Sequence, residues 1–209
     1  MLIAKKSRLV WPENAAVTSK NYEIIYADPP WSYYNDTDAD PDCTTIKGVR
    51  RPPYSVMGSK SIMRLNVREL SADNCVLFIW TTDYHLGKCL KVIEAWGFVY
   101  KTVGFAWQKL NKKDKPICFT GAWTLKSGIE LCLLATKGKD AHKFVKKHNV
   151  RALICSRREI HSKKPDEVRD RIEELIGERS RIELFARQKR KGWDVWGDEV
   201  ESDTKLTIM

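Results

Sequence analysis

No apolar run in this chain approaches the roughly 20 residues that a membrane-spanning helix needs. Its opening, MLIAKKSRLVWPEN, has no apolar core leading to a small-residue cleavage site. A membrane protein and a secreted one are therefore unexpected, and the cytoplasm is the expected location. Paired cysteines are missing too. There are six cysteines, but none forms a C-x-x-C pair and most lie in apolar runs such as CVLFIW and LCLLAT. That predicts reduced core thiols in place of disulfides or a zinc site. The histidines, His85, His142, His148 and His161, show no metal-ligand spacing, so no metal is expected. A G-x-G-x-x-G turn, an internal repeat and a low-complexity tract are lacking as well.

What is present is an ordinary globular composition with an uneven charge. A length of 209 residues, 43% of them apolar and 31% charged, predicts one domain with a sizeable core. The net charge is +10. Between Lys137 and Lys191 there are 18 Lys and Arg against 9 Asp and Glu, so nearly all the excess lies in that stretch. A basic stripe of this kind is the footprint expected of a polyanion ligand, the plainer alternative being a solvated cationic face.

Short β-branched and aromatic runs, YEIIYA, CVLFIW, FVYKTVGFAW, IELCLLAT, RALIC and RIELFA, read as strands. Helical spacing appears between them. Asp83 to Trp96 has Leu86, Leu90 and Ile93 on one face, and Pro165 to Ile176 has Val168, Ile172, Leu175 and Ile176. Alternating strands and helices predict an α/β fold with a mostly parallel sheet. Residues 35–53 and 111–121, rich in Pro, Thr, Asp, Lys and Gly, read as long surface loops, and residues 200–209 as a loose tail.

The most informative corner is Tyr26 to Trp31, YADPPW, directly after the apolar YEII. Ligands of open α/β sheets bind beyond the carboxyl ends of the strands, so Asp28 should sit at the functional edge while Pro29 and Pro30 stiffen the backbone beyond it. Alkylation of an exocyclic base amine suits such a corner. That amine is a poor nucleophile because its lone pair is delocalised into the ring. Two acceptors on its hydrogens, the Asp28 carboxylate and the Pro29 carbonyl, would localise the pair, and Trp31 could stack on the base. For D-P-P alone, a turn with a solvated Asp and a core Trp is an equally good reading.

With its neighbours the corner says more. In order come YADPPW, PYSVM with MRLNV, CVLFIW, GFAWQK, GAW with GIELCLLATKGK, HSKKPDEVRDRIEEL and RIELFARQKRKGWDVWGDEV. Across residues 22–200 the chain resembles the DPPW-type adenine N6-methyltransferases. These include bacterial and phage DNA enzymes and the catalytic subunit of the eukaryotic messenger-RNA adenosine methylase. The resemblance implies a Rossmann-like fold that binds S-adenosylmethionine, helices on both faces of its sheet and a permuted motif order, which accounts for the missing G-x-G-x-x-G.

The resemblance implies Asp28, Pro29, Pro30 and Trp31 as catalytic, and Asp28, Lys164, Arg187, Asp198 and Glu199 as cofactor-binding. Physically, Lys164 precedes Pro165, a favoured first helical residue, so an ammonium at a helix N-terminus could hold a carboxylate, while Asp198 and Glu199 could accept from ribose hydroxyls. On the substrate side it implies Tyr54, Trp107, Lys109, Trp123 and Glu130. For Trp107 and Trp123 a place in the core is the competing reading. Three departures stand out: Asp198 where many relatives carry Asn, Lys189 and Arg190 in place of a His-Asn pair, and no clear counterpart for an upstream acidic adenine-binding residue. The expected partner is nucleic acid, DNA ahead of RNA, in a bacterial or phage-infected cell. Methylation of RNA and a noncatalytic nucleic-acid-binding subunit are the alternatives, and the resemblance leaves a homodimer or a partner subunit open.

Overall fold

The computed structural model of the chain describes residues 20–32, 56–121, 123–159 and 163–208. Its centre is a seven-stranded sheet. The strands in chain order are β1 (Tyr22–Ala27), β2 (Ser71–Thr81), β3 (Val99–Leu110), β6 (Ile129–Lys137), β7 (Leu153–Arg157), β8 (Arg181–Leu184) and β9 (Asp194–Trp196), laid side by side as β7-β3-β6-β2-β1-β8-β9. All pairings are parallel except those of β6, which runs antiparallel to both β2 and β3. The sheet is thus mostly parallel, as the alternation of patterns predicts.

Alternation along the strands feeds two cores. Ile25, Ala27, Leu77 and Ile79 point to one face, and Ile24, Tyr26, Phe78 and Trp80 to the other, as a period of two requires. On the first face lie the helices α1 (Ser59–Met63), α2 (Val67–Leu70) and α3 (Leu86–Ala95), through residues such as Ile62, Val67, Val92 and Ile93. On the second lie α4 (Glu167–Ile176), through Val168, Ile172 and Ile176, and a 3-10 turn at Ala141–Phe144. Coverage of both faces explains why the central strands read as continuous apolar runs.

Several expectations need correction. The buried face of α3 is Cys89, Val92 and Ile93, while Leu90 is exposed; cysteine serves there as a small apolar residue. Helix α4 begins at Glu167, with Pro165 in the turn leading into it, where Val168 N–H donates to the Pro165 carbonyl and Arg169 N–H to the Asp166 carbonyl, each at 3.1 Å and each spanning three residues. Residues 111–121 are not all loop. Cys118–Thr120 is a strand, β4, that pairs antiparallel with β5 (Leu125–Ser127) in a separate hairpin. Of the cysteines, Cys75, Cys89 and Cys132 are buried, but Cys118 and Cys155 are exposed. The region 35–53 lies outside the described residues.

The tail is docked, not loose. The Asp203 carboxylate accepts from Val195 N–H at 3.0 Å, and Asp203 N–H donates to the Val195 carbonyl at 2.8 Å. Thr204 is 1% exposed, and the Thr207 carbonyl accepts from Asn66 N–H at 2.9 Å. Polar side chains hold this segment, which is why its composition looks like that of a solvated end.

Candidate active site

At the middle of the sheet the strand order reverses direction. From β1 the chain proceeds to β2 on one side, while β8 and β9 lie on the other, so the carboxyl ends of β1 and β8 flank a crevice. Such a switch point is where open α/β sheets bind ligands. Asp28 follows β1 immediately, and the register Ala27↔Leu184 places the end of β8 alongside.

Two prolines end β1 because they cannot donate to either neighbouring strand. The chain then turns tightly: Trp31 N–H donates to the Pro29 carbonyl at 2.8 Å, over Pro30. Met57 clamps the corner, its N–H donating to the Pro30 carbonyl at 2.8 Å and its carbonyl accepting from Ser32 N–H at 3.0 Å. The Pro29 carbonyl therefore already accepts one internal hydrogen bond, leaving one lone pair for a substrate. Trp31 is 8% exposed, donates through its indole N–H to the Trp80 carbonyl at 2.9 Å, and stacks on His85 with ring centroids 5.6 Å apart. It braces the corner from within the core, and the expectation that it stacks on the base is corrected accordingly. His85, fully buried, bridges Thr82 Oγ1 and the Ser32 carbonyl, each at 2.9 Å, and so belongs to the same brace.

Four ionisable side chains meet beside the corner. Lys164 Nζ lies 2.8 and 2.7 Å from Asp28 Oδ1 and Oδ2 and 3.1 Å from Glu130 Oε2, and Glu130 is also paired with Lys109. Glu130 of β6 is paired with Trp107 in the antiparallel β3–β6 register, and Lys109 lies two residues further along β3, on the same face of the strand as Trp107. Burial pushes the Asp28 carboxyl up from its ordinary value; Lys164 pulls it back only partly, and Glu130 adds to the rise. For Glu130 the balance is reversed, since Lys164 and Lys109 together outweigh burial and hold it below the usual range. Burial alone would lower Lys164, but Asp28 and Glu130 overcome it, so the ammonium stays charged.

Next to this cluster is a cavity of about 180 Å³ lined by Tyr26, Asp28, Lys163, Lys164, Arg169, Glu183, Phe185, Arg187, Gln188 and Glu199. Phe185 has φ +61°, an uncommon left-handed conformation for a bulky residue, and its ring packs edge-on against Trp196 at 5.4 Å. Phe185 lines the cavity directly after β8, and the next residue, Ala186, donates its N–H to the Trp196 carbonyl at 3.0 Å. Gly197 runs against the Ala186 backbone with no room for a Cβ, which brings Glu199 to Arg187, 2.9 Å from its Nε. Sequence reasoning missed the floor: Glu183, buried in β8, accepts from Arg169 of α4 at 2.7 Å, and Arg169 also pairs with Asp166. A single acid inside the apolar run RIELFA was its signal.

Of the residues expected at the site, the structure brings together Asp28, Lys164, Arg187 and Glu199 around the cavity, and Lys109 and Glu130 beside it. Asp198 is exposed as a residue and does not line the cavity; its carboxyl is raised by partial desolvation and by the Glu199 charge next to it. Trp107 is 2% exposed, sits in the second core and donates to the Ser156 carbonyl at 3.3 Å, so it is a core aromatic and not a surface for a base. Trp123 is 94% exposed. Tyr54 lies outside the described residues.

A doubly wound sheet with an acidic, proline-stiffened corner after its first strand and a charged cavity at the switch point defines a Rossmann-like methyltransferase. The MT-A70 family profile matches residues 22–199, and the chain belongs to that family. It is 37% identical over 220 residues to the type II methyltransferase M.MunI of Mycoplasma sp, a match covering 98% of this chain and 90% of that protein. It is 28% identical to the N(6)-adenosine-methyltransferase MT-A70-like protein of Arabidopsis thaliana and 27% identical to the N(6)-adenosine-methyltransferase catalytic subunit METTL3 of Homo sapiens. Each of these matches covers 86% of this chain but only 24% and 28% of the relative. The chain is an adenine N6-methyltransferase, and methyltransferases of this family use S-adenosylmethionine.

Proposed function

We propose that the chain transfers a methyl group from S-adenosylmethionine to the N6 amine of adenine in DNA, in the cytoplasm of a bacterial or phage-infected cell. The observation that carries the reading is the Asp28 carboxylate, held by Lys164 at the mouth of the switch-point cavity. The lining fits the cofactor's charges. Lys163, Lys164 and Arg187 suit a carboxylate, whereas Asp28, Glu183 and Glu199 suit an ammonium and a ribose diol. Bound there, the cofactor would supply an electrophilic methyl group.

The remaining work falls to the chain. Asp28 and the free lone pair of the Pro29 carbonyl accept the two amine hydrogens and localise the nitrogen lone pair. Trp31, His85 and Met57 keep those acceptors in place. When the amine gains its methyl group it must shed a proton, and Asp28, whose carboxyl is already raised, can receive it and release it to solvent. The three donors of Lys164 face Asp28 and Glu130, so engaging a cofactor carboxylate requires it to give up one of those contacts.

DNA is favoured because the relative matched nearly end to end is named a type II methyltransferase. The relatives named for adenosine favour RNA as the second reading, but this chain spans only about a quarter of their length. Incubation with tritiated S-adenosylmethionine and separate DNA and RNA tests both. Label recovered as N6-methyladenine from DNA is the expected result. Label in RNA alone overturns the DNA reading, and no label in either leaves a noncatalytic binding subunit.

A further inference from the structure

The β4–β5 hairpin stands outside the main sheet, and its root is the active edge. It leaves β3 after Leu110 and rejoins β6 at Ile129, so Lys109 and Glu130 are the residues on either side of its base. Backbone bonds fix that base: Lys109 N–H donates to the Gly128 carbonyl at 2.8 Å and Ile117 N–H to the Lys109 carbonyl at 2.9 Å. Ion pairs hold it from two sides. Lys126 of β5 pairs with Asp83 of the β2–α3 turn, and Arg157 at the end of β7 donates to both oxygens of Asp114 at 2.6 Å.

Its tip is unusual in chemistry. Gly121 N–H donates to the Thr124 carbonyl at 3.1 Å, and a Cβ on Gly121 would sit 2.8 Å from that oxygen, so glycine is needed to close the turn. Trp123 projects from this turn 94% exposed, with Leu125 at 71% beside it. Bulky aromatic rings are normally packed, and one held into water on a tied-down hairpin needs an apolar partner that arrives from outside. The flanks carry the charge clue: residues 111–127 include Lys112, Lys113, Lys115 and Lys126 against the single acid Asp114, and Arg158 is exposed nearby. A partner apolar in its interior and anionic on its outside is a stack of base pairs between phosphate backbones.

We infer that Trp123 is a wedge that enters the base stack of duplex DNA at the place vacated by the target adenine. The inference rests on the proposed DNA methylation and deepens it by naming the double-stranded form of the substrate. An adenine amine inside a duplex is out of reach of the Asp28 corner, so the base must leave the stack, and the cost of extrusion falls if an indole fills the gap. Trp123 therefore serves the extruded state and does not line the pocket for the base itself.

The test uses an oligonucleotide duplex carrying the sequence found methylated on wild-type-treated DNA, with the target adenine opposite either thymine or an abasic site. Trp123→Ala should lower the methylation rate of the paired duplex by about 5- to 150-fold, the worth of one aromatic–base stack. It should change the abasic duplex little, where no pair needs to be broken, and Trp123→Phe should recover most of the loss. Equal loss on both duplexes would overturn the wedge in favour of a stack on the extruded base. No loss on either, or a Trp123-dependent dimer in sedimentation, would overturn it in favour of a solvated or self-associating tip. If the wild-type enzyme methylates single-stranded DNA but no duplex, the wedge falls and the DNA reading stands; if it methylates neither form, the DNA reading falls first, before any variant is made.

Discussion

Lys164 Nζ bonds to both carboxylate oxygens of Asp28, at 2.8 and 2.7 Å, across 136 residues of chain. With Glu130 and Lys109 the pair forms a cluster of two cations and two carboxylates with no net charge. Removing any one member leaves a half-buried charge uncompensated, which makes each of them testable.

Asp28→Asn keeps the shape of the corner but removes the strongest acceptor on the amine. Loss of one preorganised electrostatic contact typically costs about 10²–10³ in rate. Single-turnover methyl transfer should fall by that order while cofactor binding stays measurable. A rate within twofold of wild type would sink the mechanism.

Lys164→Met should weaken S-adenosylmethionine and S-adenosylhomocysteine to the same extent, because the two share a carboxylate and differ only at sulfur. Calorimetry with both ligands is the check. Unchanged affinity for either would take Lys164 out of the cofactor site and leave it only as the counterion of Asp28 and Glu130.

The directions of the shifts set the pH profile. Asp28 must be ionised to accept hydrogens, and its carboxyl is raised above the ordinary 3.8, so the acid limb of kcat/KM should inflect above that value. In Lys164→Met the inflection should move further up, since the cation that opposes burial is gone. Glu130 behaves in the opposite sense. Its native value lies below 4.5, so it contributes stability that is fully present above about pH 4.5 and is lost as pH falls through the lower native value. A profile flat down to pH 4 would contradict the burial of Asp28.

Arg169→Ala should destabilise the fold by about 3–5 kcal/mol, because it strands Glu183 as a buried carboxylate. Glu183→Gln should cost less, since the amide keeps an acceptor for Arg169. Urea midpoints of the two variants measure the difference. A cost below about 1 kcal/mol, the worth of a surface ion pair, would show that the pair is solvated.

The basic stripe divides into structural and available charge. Lys189 pairs with Asp203, and Arg190 with Asp170, so neutralising those two should lower stability. Lys139 and Arg158 are exposed, and each changed to Gln should reduce the slope of log K against log salt by about 0.9 on duplex DNA. Binding isotherms at several salt concentrations decide this, and an unchanged slope would return these charges to a solvated face.

Long apolar runs make the central sheet legible, and the order of motifs around Asp28 makes the corner legible. What escapes has physical reasons. Strands of three residues such as β4, β5 and β9 are too short to show a period, and the reversed direction of β6 leaves no mark on its composition. The resemblance puts Trp107 at the substrate, yet Phe105 and Trp107 alternate with half-buried neighbours along β3, and that period of two already places both on a core face. The lone acid in RIELFA marks Glu183, but its pairing with Arg169 is opaque because ion pairs between distant elements depend on which strand ends up beside which helix.

The strand order has one more consequence, for the route by which the chain folds. The β3–β6 ladder, with the hairpin inside it, closes a short loop, whereas β1 must find β8, whose residues Arg181–Leu184 pair with Ile24–Ala27 from the far end of the sequence. Closing the longer loop carries the greater entropic cost, so the ladder should form early and the β1–β8 seam late. The cavity opens at that seam. During refolding from urea, binding of S-adenosylhomocysteine should therefore recover in the slowest resolved phase, behind the circular dichroism of the sheet, and simultaneous recovery would refute this order.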